Sequence, residues 1–215
     1  MRVRENILLW RENLYKDTFG YFGQSEFRHM LIQNLPVDKF KTVLEIGSYE
    51  GIFSCFAAQS FADVIHTIDP FDISDEATTM TYSVESNFNH NISVCPNGDK
   101  IISHKMTSDE FFKSNNDKFD LIYVDGSHEP EDACRDLDNS FDVCKKDAII
   151  WVDDYGSNYK TLHESIDQWL QDHQEYIKII HKGYQVGFIK LVWWLLLIIL
   201  VIWEDLQTKC FSMLL

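Results

Sequence analysis

The chain has 215 residues, enough for one domain whose hydrophobic core is large enough to fold alone. Its 34 acidic residues outnumber its 19 basic residues, so the net charge is −15 at pH 7 and the pI is near 4.8. Such an acidic surface repels phosphate backbones, which makes nucleic acid a poor candidate for a substrate or partner.

The start of the chain has helical apolar spacing in two segments, residues 5–15 and 25–35, and Pro36 is expected to end the second. We assign residues 1–35 to helices that cover a cofactor or substrate. Residues 36–190 form the main domain, and residues 191–215 form an apolar tail.

Strand and helix patterns alternate after Pro36. The predicted strands are residues 42–46, 64–68, 100–106, 120–124 and 148–152. The predicted helices are residues 52–61, 109–113, 131–143 and 159–171, with a further helix around 78–88 in the polar stretch 72–99. Residues 176–181 and 184–190 flank Lys182-Gly183 and predict a hairpin.

This order predicts an α/β fold with a mostly parallel sheet, right-handed crossovers and helices on both faces. An all-parallel sheet would not end in a hairpin, so the terminal strand is expected to be antiparallel. The hairpin and the lack of a GxGxxG motif disfavour a nicotinamide-dependent dehydrogenase.

The most informative segment is Val43-Leu44-Glu45-Ile46-Gly47-Ser48-Tyr49-Glu50-Gly51, an apolar strand that runs into a glycine turn and then a helix. Glycines let the backbone approach a ligand, and the helix start offers free N–H groups. Three later strands also end in acids: Ile68-Asp69-Pro70, Val124-Asp125-Gly126-Ser127-His128 and Val152-Asp153-Asp154-Tyr155.

In this order the motifs resemble the Rossmann-like S-adenosylmethionine (SAM)-dependent methyltransferases, and most closely methyltransferase family 24, relatives of macrocin and catechol O-methyltransferases. The resemblance extends from about Phe19 to Leu191. It implies a seven-stranded sheet and SAM as the cofactor. Tyr49 stands where the commoner ExGxGxG motif has its middle glycine, a departure that family 24 members often tolerate.

Eight residues are predicted to bind the cofactor: Glu45, Gly47, Ser48, Gly51, Asp69, Thr107, Ser108 and Asp125. Glu45 would accept from the cofactor's amino group or orient the turn, and Asp69 would accept both ribose hydroxyls. The structural alternative for Asp69 is a turn or helix cap. Thr107 and Ser108 would contact adenine, or else one of them, with Ser108 favoured, caps the next helix.

Asp125, Asp153 and Asp154 are predicted to converge at adjacent strand ends, where three carboxylates repel each other unless a cation or protons intervene. Oxygen ligands of this kind suit Mg²⁺ or another hard divalent cation. In the resembled family such a trio holds a metal that binds substrate hydroxyls. The alternative is a structural turn in which one acid caps the following helix.

Two catalytic residues are predicted, His128 as the general base and Asp125 beside it. Family members with Asp-Gly-Ser-His at this point have been assigned that role for the histidine. The alternative is a loop histidine that bonds Ser127 or a helix cap.

The apolar run from Leu191 to Trp203 is shorter than the 20 or so residues that span a bilayer. We weigh a packed helix, a sequence that is not native, and a weak membrane or partner contact, and we favour the last. The five cysteines show no CxxC spacing and no signal peptide is recognised, so the predicted location is the cytoplasm.

The predicted activity is metal-assisted O-methylation of a small hydroxylated molecule or sugar, with SAM as the methyl donor. The alternatives are a metal-independent methyltransferase with His128 as the base, and a non-catalytic module that keeps the SAM-binding fold.

Overall fold

The computed structural model describes Leu35 and residues 40–72 and 83–191. The predicted helix at 5–15, nearly all of that at 25–35, Pro36 and the apolar tail beyond Leu191 lie outside these residues. The first part of the helix suggested around 78–88 does so as well.

The described residues form a seven-stranded sheet with helices packed on it. The strands are β1 (Thr42–Ile46), β2 (Val64–Ile68), β3 (Ile101–His104), β4 (Phe119–Val124), β5 (Cys144–Val152), β6 (Ile177–Lys182) and β7 (Val186–Lys190). The helices are α1 (Ile52–Ser60), α2 (Val84–Val94), α3 (Ser108–Ser114), α4 (Pro130–Val143) and α5 (Lys160–Asp172).

The strand order is β3-β2-β1-β4-β5-β7-β6. Strands β1 to β5 pair in parallel, and β7 lies antiparallel between β5 and β6. The predicted fold class, a mostly parallel Rossmann-like sheet that ends in an antiparallel strand, is therefore confirmed.

The central strands are apolar on both faces because helices cover both sides of the sheet. Neighbouring residues of β1 point in opposite directions, so Val43 packs into a cluster with Phe53 of α1. Leu44 packs on the other face with Leu137 of α4 and Ile166 of α5. Burial of each such side chain stabilises the fold by about 1.5–3 kcal/mol.

No helix in the described part of the chain is long and apolar enough to cross a membrane.

The loops that follow β1, β2, β4 and β5 start side by side at the carboxyl edge of the sheet. Gly47 N–H donates to Ile68 O at 2.9 Å, and Asp125 N–H donates to Ile46 O at 2.8 Å. Asp153 N–H continues the pattern with a 2.9 Å bond to Val124 O. The strand order reverses direction between β1 and β4, and open α/β sheets bind ligands at such a point.

Candidate active site

The glycine turn after β1 is pressed against the loop after β4. Gly47 has φ +83°, and a Cβ atom there would lie 1.9 Å from the backbone oxygen of Asp125. Gly51 has φ +82°, and its Cβ would meet the Phe88 ring of α2 at 3.1 Å. Tyr49 takes a φ of +46° between them, a conformation in which most side chains are strained. Positions 47 and 51 therefore need glycine, because a Cβ there would meet neighbouring atoms and the backbone turns left-handed.

Asp69 holds this turn from the end of β2. Its carboxylate accepts from Tyr49 N–H at 2.7 Å and from Phe71 N–H at 2.6 Å. Burial raises the pKa of Asp69, whereas the N–H groups of Tyr49, Phe71 and Ser48 act to lower it. A carboxylate has about four acceptor positions, so these bonds leave room for ribose hydroxyls. Binding of the ribose by Asp69 stays a prediction, whereas its hydrogen bonds to Tyr49 and Phe71 show that it also holds the turn.

Glu45 lies beneath the turn with 2% of its surface exposed. It accepts hydrogen bonds from the hydroxyl of Ser54 in α1 and, at 2.7 Å, from that of Thr67 in β2. Burial raises the pKa of Glu45 to about 8, so the side chain is mostly neutral at pH 7. These contacts tie the end of β1 to α1 and β2, and both predicted roles of Glu45, accepting from the cofactor's amino group and orienting the turn, stay predictions.

Ser48 supplies the observation that tests whether the turn fits a cofactor. The residue is 3% exposed, and its hydroxyl makes no hydrogen bond to any described residue. A buried hydroxyl without a partner costs free energy, and a polar ligand in the turn would satisfy it. The turn around Ser48 therefore fits the polar part of a nucleotide cofactor.

Thr107 is the N-cap of α3, whereas Ser108 is the first residue of the helix. The Thr107 hydroxyl accepts from Glu110 N–H at 3.3 Å, and the Glu110 carboxylate accepts from Thr107 N–H at 3.0 Å. Ser108, the favoured cap in the sequence, lies instead close enough to Asp136 to act against the rise in the pKa of that carboxyl group. The prediction that Ser108 is the cap is therefore wrong, and adenine contact by either residue stays a prediction.

Asp136 is an acid that sequence reasoning missed. It is 3% exposed on α4, and burial raises its pKa to about 6. A Cβ on Gly126 would lie 3.3 Å from Asp136 Oδ2, so this carboxylate stands directly behind the loop after β4. An acid between Ala133 and Leu137 on the apolar face of the helix was the signal that could have revealed it.

Three groups meet at the ends of β4 and β5. Asp125, His128 and Asp154 each offer one ligand atom, and these atoms lie within 4.8 Å of one another. His128 Nε2 lies 3.1 Å from Asp154 Oδ2. The imidazole also stacks on the ring of Tyr159, with ring centroids 4.3 Å apart. We call Asp125, His128 and Asp154 the acid–histidine cluster.

Asp153, predicted as a metal ligand, is not part of this cluster. It is 3% exposed and accepts from the Tyr123 hydroxyl at 2.5 Å and from Asp154 N–H at 2.8 Å. Side chains alternate across a strand, so Asp153 follows Trp151 to the face of the sheet that holds Tyr123. Asp154, with φ +53°, turns to the other side. His128 is thus the third member in place of Asp153.

The donor set of the cluster fits a divalent cation. The ligand atoms of Asp125, His128 and Asp154 lie within 4.8 Å of one another, close enough for all three to bind one ion. Carboxylates suit Mg²⁺, Ca²⁺ and Mn²⁺, whereas imidazole suits Zn²⁺ and other transition metals. A mixed set fits Mn²⁺ better than the Mg²⁺ that three carboxylates would favour.

A family model described as a methyltransferase domain matches residues 44–155, more than half of the chain. The match begins in β1 and ends just after β5, so it includes the glycine turn, Asp69 and the whole acid–histidine cluster. No curated protein sequence matches the chain significantly.

Solved structures share the fold at low identity. The O-methyltransferase TomG from Streptomyces achromogenes, involved in tomaymycin synthesis and solved with SAM, is 12% identical with a TM-score of 0.59, covering 89% of this chain and 90% of TomG. An O-methyltransferase from Bacillus cereus, solved with SAH, is 12% identical with a TM-score of 0.57, covering 88% and 90%. A ribosomal protein L11 methylase from Lactobacillus delbrueckii subsp. bulgaricus is 16% identical with a TM-score of 0.55, covering 83% of each chain. Each of these structures is at most 16% identical to the chain, so the likeness establishes the fold alone.

Proposed function

Since the chain belongs to methyltransferase family 24, we propose that it is a SAM-dependent O-methyltransferase that uses a divalent cation and acts on a small hydroxylated molecule such as a sugar. The observation that carries the proposal is the contact between Gly47 and Asp125. A Cβ at Gly47 would lie 1.9 Å from Asp125 O, so the glycine turn lies directly against the loop that carries Asp125 and His128. A methyl donor in the turn and a hydroxyl at the cluster would be neighbours there.

Ser48, Asp69 and the backbone at Gly47 would hold the cofactor. The buried Ser48 hydroxyl provides one donor and an acceptor, and Asp69 provides the remaining acceptor positions of its carboxylate. When bound, SAM supplies an electrophilic methyl group on a sulfonium, and a cation lowers the pKa of a hydroxyl that it binds. The protein's task is then to orient the acceptor oxygen toward that methyl group.

Asp125, His128 and Asp154 would hold the cation. Their ligand atoms are close enough to share one ion, and two carboxylates supply the negative charge that such an ion requires. Because the third ligand is an imidazole, Mn²⁺ is the first cation to test, with Mg²⁺ second.

A second function, metal-independent methyl transfer, is favoured by the pairing of His128 with Asp154. A carboxylate that bonds one ring nitrogen orients the imidazole and leaves the other nitrogen to accept a proton. Nε2 is the nitrogen next to Asp154, so Nδ1 would be the base. The two functions compete, because Nε2 cannot bond Asp154 and bind a cation at the same time.

Two measurements test both functions. One is isothermal titration of SAM with and without Mn²⁺ or Mg²⁺, and the other is turnover of a hydroxylated acceptor with and without EDTA. SAM binding is expected from the intact protein, and turnover of a hydroxylated acceptor is expected to stop with EDTA. Turnover that survives EDTA would select the metal-independent function. Failure to bind SAM would overturn the proposal and leave a non-catalytic module with the same fold.

A further inference from the structure

We propose that Tyr184, in the turn between β6 and β7, is a positioning residue that fixes the Asp154 carboxylate facing His128, which is the orientation that a cation at the cluster would need. This inference rests on the proposed function, because it adds to the acid–histidine cluster a residue that would hold a metal ligand in place without binding the metal. Tyr184 lies outside the sequence motifs described above and beyond residues 44–155, the part of the chain that matches the family model, so neither assigns it a role.

The two carboxylate oxygens of Asp154 face different groups. Oδ2 lies 3.1 Å from His128 Nε2, on the side where the cluster gathers. Oδ1 accepts a hydrogen bond from the Tyr184 hydroxyl. A cation shared with His128 would use Oδ2, so the bond to Tyr184 remains compatible with metal binding. A hydrogen bond to Oδ1 opposes rotation of the carboxylate that would move Oδ2 away from the cluster.

The turn that carries Tyr184 is fixed against the loop after β5. Gly156 N–H donates to Tyr184 O at 2.7 Å, and a Cβ at Gly156 would lie 2.7 Å from Tyr184 Cα. Only glycine lets these backbones approach so closely. Ser157 N–H also donates to Asp154 O at 3.0 Å, so the same loop holds the backbone of Asp154.

Gln185, the next residue of the turn, anchors it in the core. Its side-chain oxygen accepts from Trp151 Nε1 at 2.8 Å, and its side-chain nitrogen donates to the Tyr123 hydroxyl at 3.2 Å. Gln185 is 1% exposed, so these bonds are shielded from water. The position of Tyr184 is thus tied to β4 and β5, the strands that also carry the cluster.

Outer residues that hold metal ligands in place are worth about ten- to a hundredfold in metal affinity. We therefore expect Tyr184→Phe, which keeps the ring and removes the hydroxyl, to weaken Mn²⁺ binding by about that factor. Tyr155→Phe is the matched control, because it removes a 2.7 Å tyrosine–aspartate bond, to Asp167, outside the cluster. The free Mn²⁺ signal in electron paramagnetic resonance measures both affinities.

SAM affinity is measured on the same samples, and an unchanged value in Tyr184→Phe shows that the fold is intact. Equal Mn²⁺ affinity in Tyr184→Phe and wild type overturns the inference. If the wild type binds SAM but no Mn²⁺, the cation part of the proposed function fails by itself. The ¹⁵N signals of the His128 ring then decide: a change in Tyr184→Phe but not in Tyr155→Phe supports positioning of Asp154, and no change overturns it.

Discussion

Glu45 illustrates how burial changes the chemistry of a single residue. An acid at the end of the first strand is a motif feature in the sequence, yet its enclosure by Ser54 and Thr67 is visible only in the fold. With a pKa of about 8 instead of 4.5, the folded protein binds the Glu45 proton more tightly than the unfolded chain does. Its contribution to stability is therefore complete at low pH and is lost as the pH rises toward 8.

We expect Glu45→Gln to remove this pH dependence, because glutamine has the same shape and no ionisation. Between about pH 6 and pH 8 the wild type should lose about 2–3 kcal/mol of unfolding free energy relative to the variant, at about 1.4 kcal/mol per pH unit. Urea unfolding of both proteins across this range measures the difference. Parallel pH profiles would show that Glu45 ionises normally.

Asp69→Ala should weaken SAM binding by about 1.5–3 kcal/mol, because charge-assisted hydrogen bonds are lost. Part of the loss would come from the turn, since Tyr49 and Phe71 donate to the same carboxylate. Isothermal titration measures the affinity. Asp63→Ala is the control, because it removes an exposed acid, 67% accessible, at the opposite end of β2. Similar losses in both variants would refute a specific role for Asp69.

His128→Ala should lower kcat by about 10²–10⁴-fold if the imidazole is the general base, with SAM affinity unchanged. The loss should shrink at high pH, where more of the acceptor hydroxyl is already ionised. If His128 is instead a metal ligand, the same variant should also lose Mn²⁺ affinity. Wild-type rates near neutral pH would leave His128 with a structural role only.

At the scale of elements, the turn between β1 and α1 is where backbone geometry decides function. Both Gly47 and Gly51 have a left-handed φ. A Cβ at Gly47 would clash with the backbone of Asp125, whereas a Cβ at Gly51 would meet only side chains, which can move. We expect Gly47→Ala to abolish SAM binding and to destabilise the fold by about 1–3 kcal/mol, with a smaller effect for Gly51→Ala. Calorimetric titration and urea unfolding measure both effects, and equal behaviour of the two variants would contradict this ranking.

Most elements were predictable because their apolar patterns are local. The bounds of β1 and β2 agree with prediction to the residue, since each is a short apolar run between polar residues. Strand β5 instead begins at Cys144, four residues before the predicted start at Ala148. Lys145, Lys146 and Asp147 interrupt the apolar pattern, although Cys144 still pairs with Phe119 across a register shift. Backbone pairing without an apolar face leaves no signal in the sequence.

At the scale of the whole molecule, cation binding should raise thermal stability, because the acid–histidine cluster exists only in the folded chain. Mn²⁺ at about a hundred times its Kd should raise Tm by about 5–10 °C. Asp125→Asn and Asp154→Asn should lose this response, whereas Asp153→Asn should keep it. Thermal melts with Mn²⁺, Mg²⁺, Ca²⁺ and EDTA provide the measurement, and curves that no cation shifts would refute a metal site.

The sequence by itself determined the order of strands and helices, the glycine turn and the acids at the ends of β2, β4 and β5. These features depend on neighbouring residues, whose spacing fixes which face of a strand or helix they occupy. Tertiary structure alone decided which of these acids meet. His128 joins Asp125 and Asp154, and Asp153 turns to Tyr123, because side chains alternate across the sheet and a loop is free to fold back over its edge. Tyr184 reaches Asp154 only because β7 lies next to β5, a pairing between segments far apart in the chain.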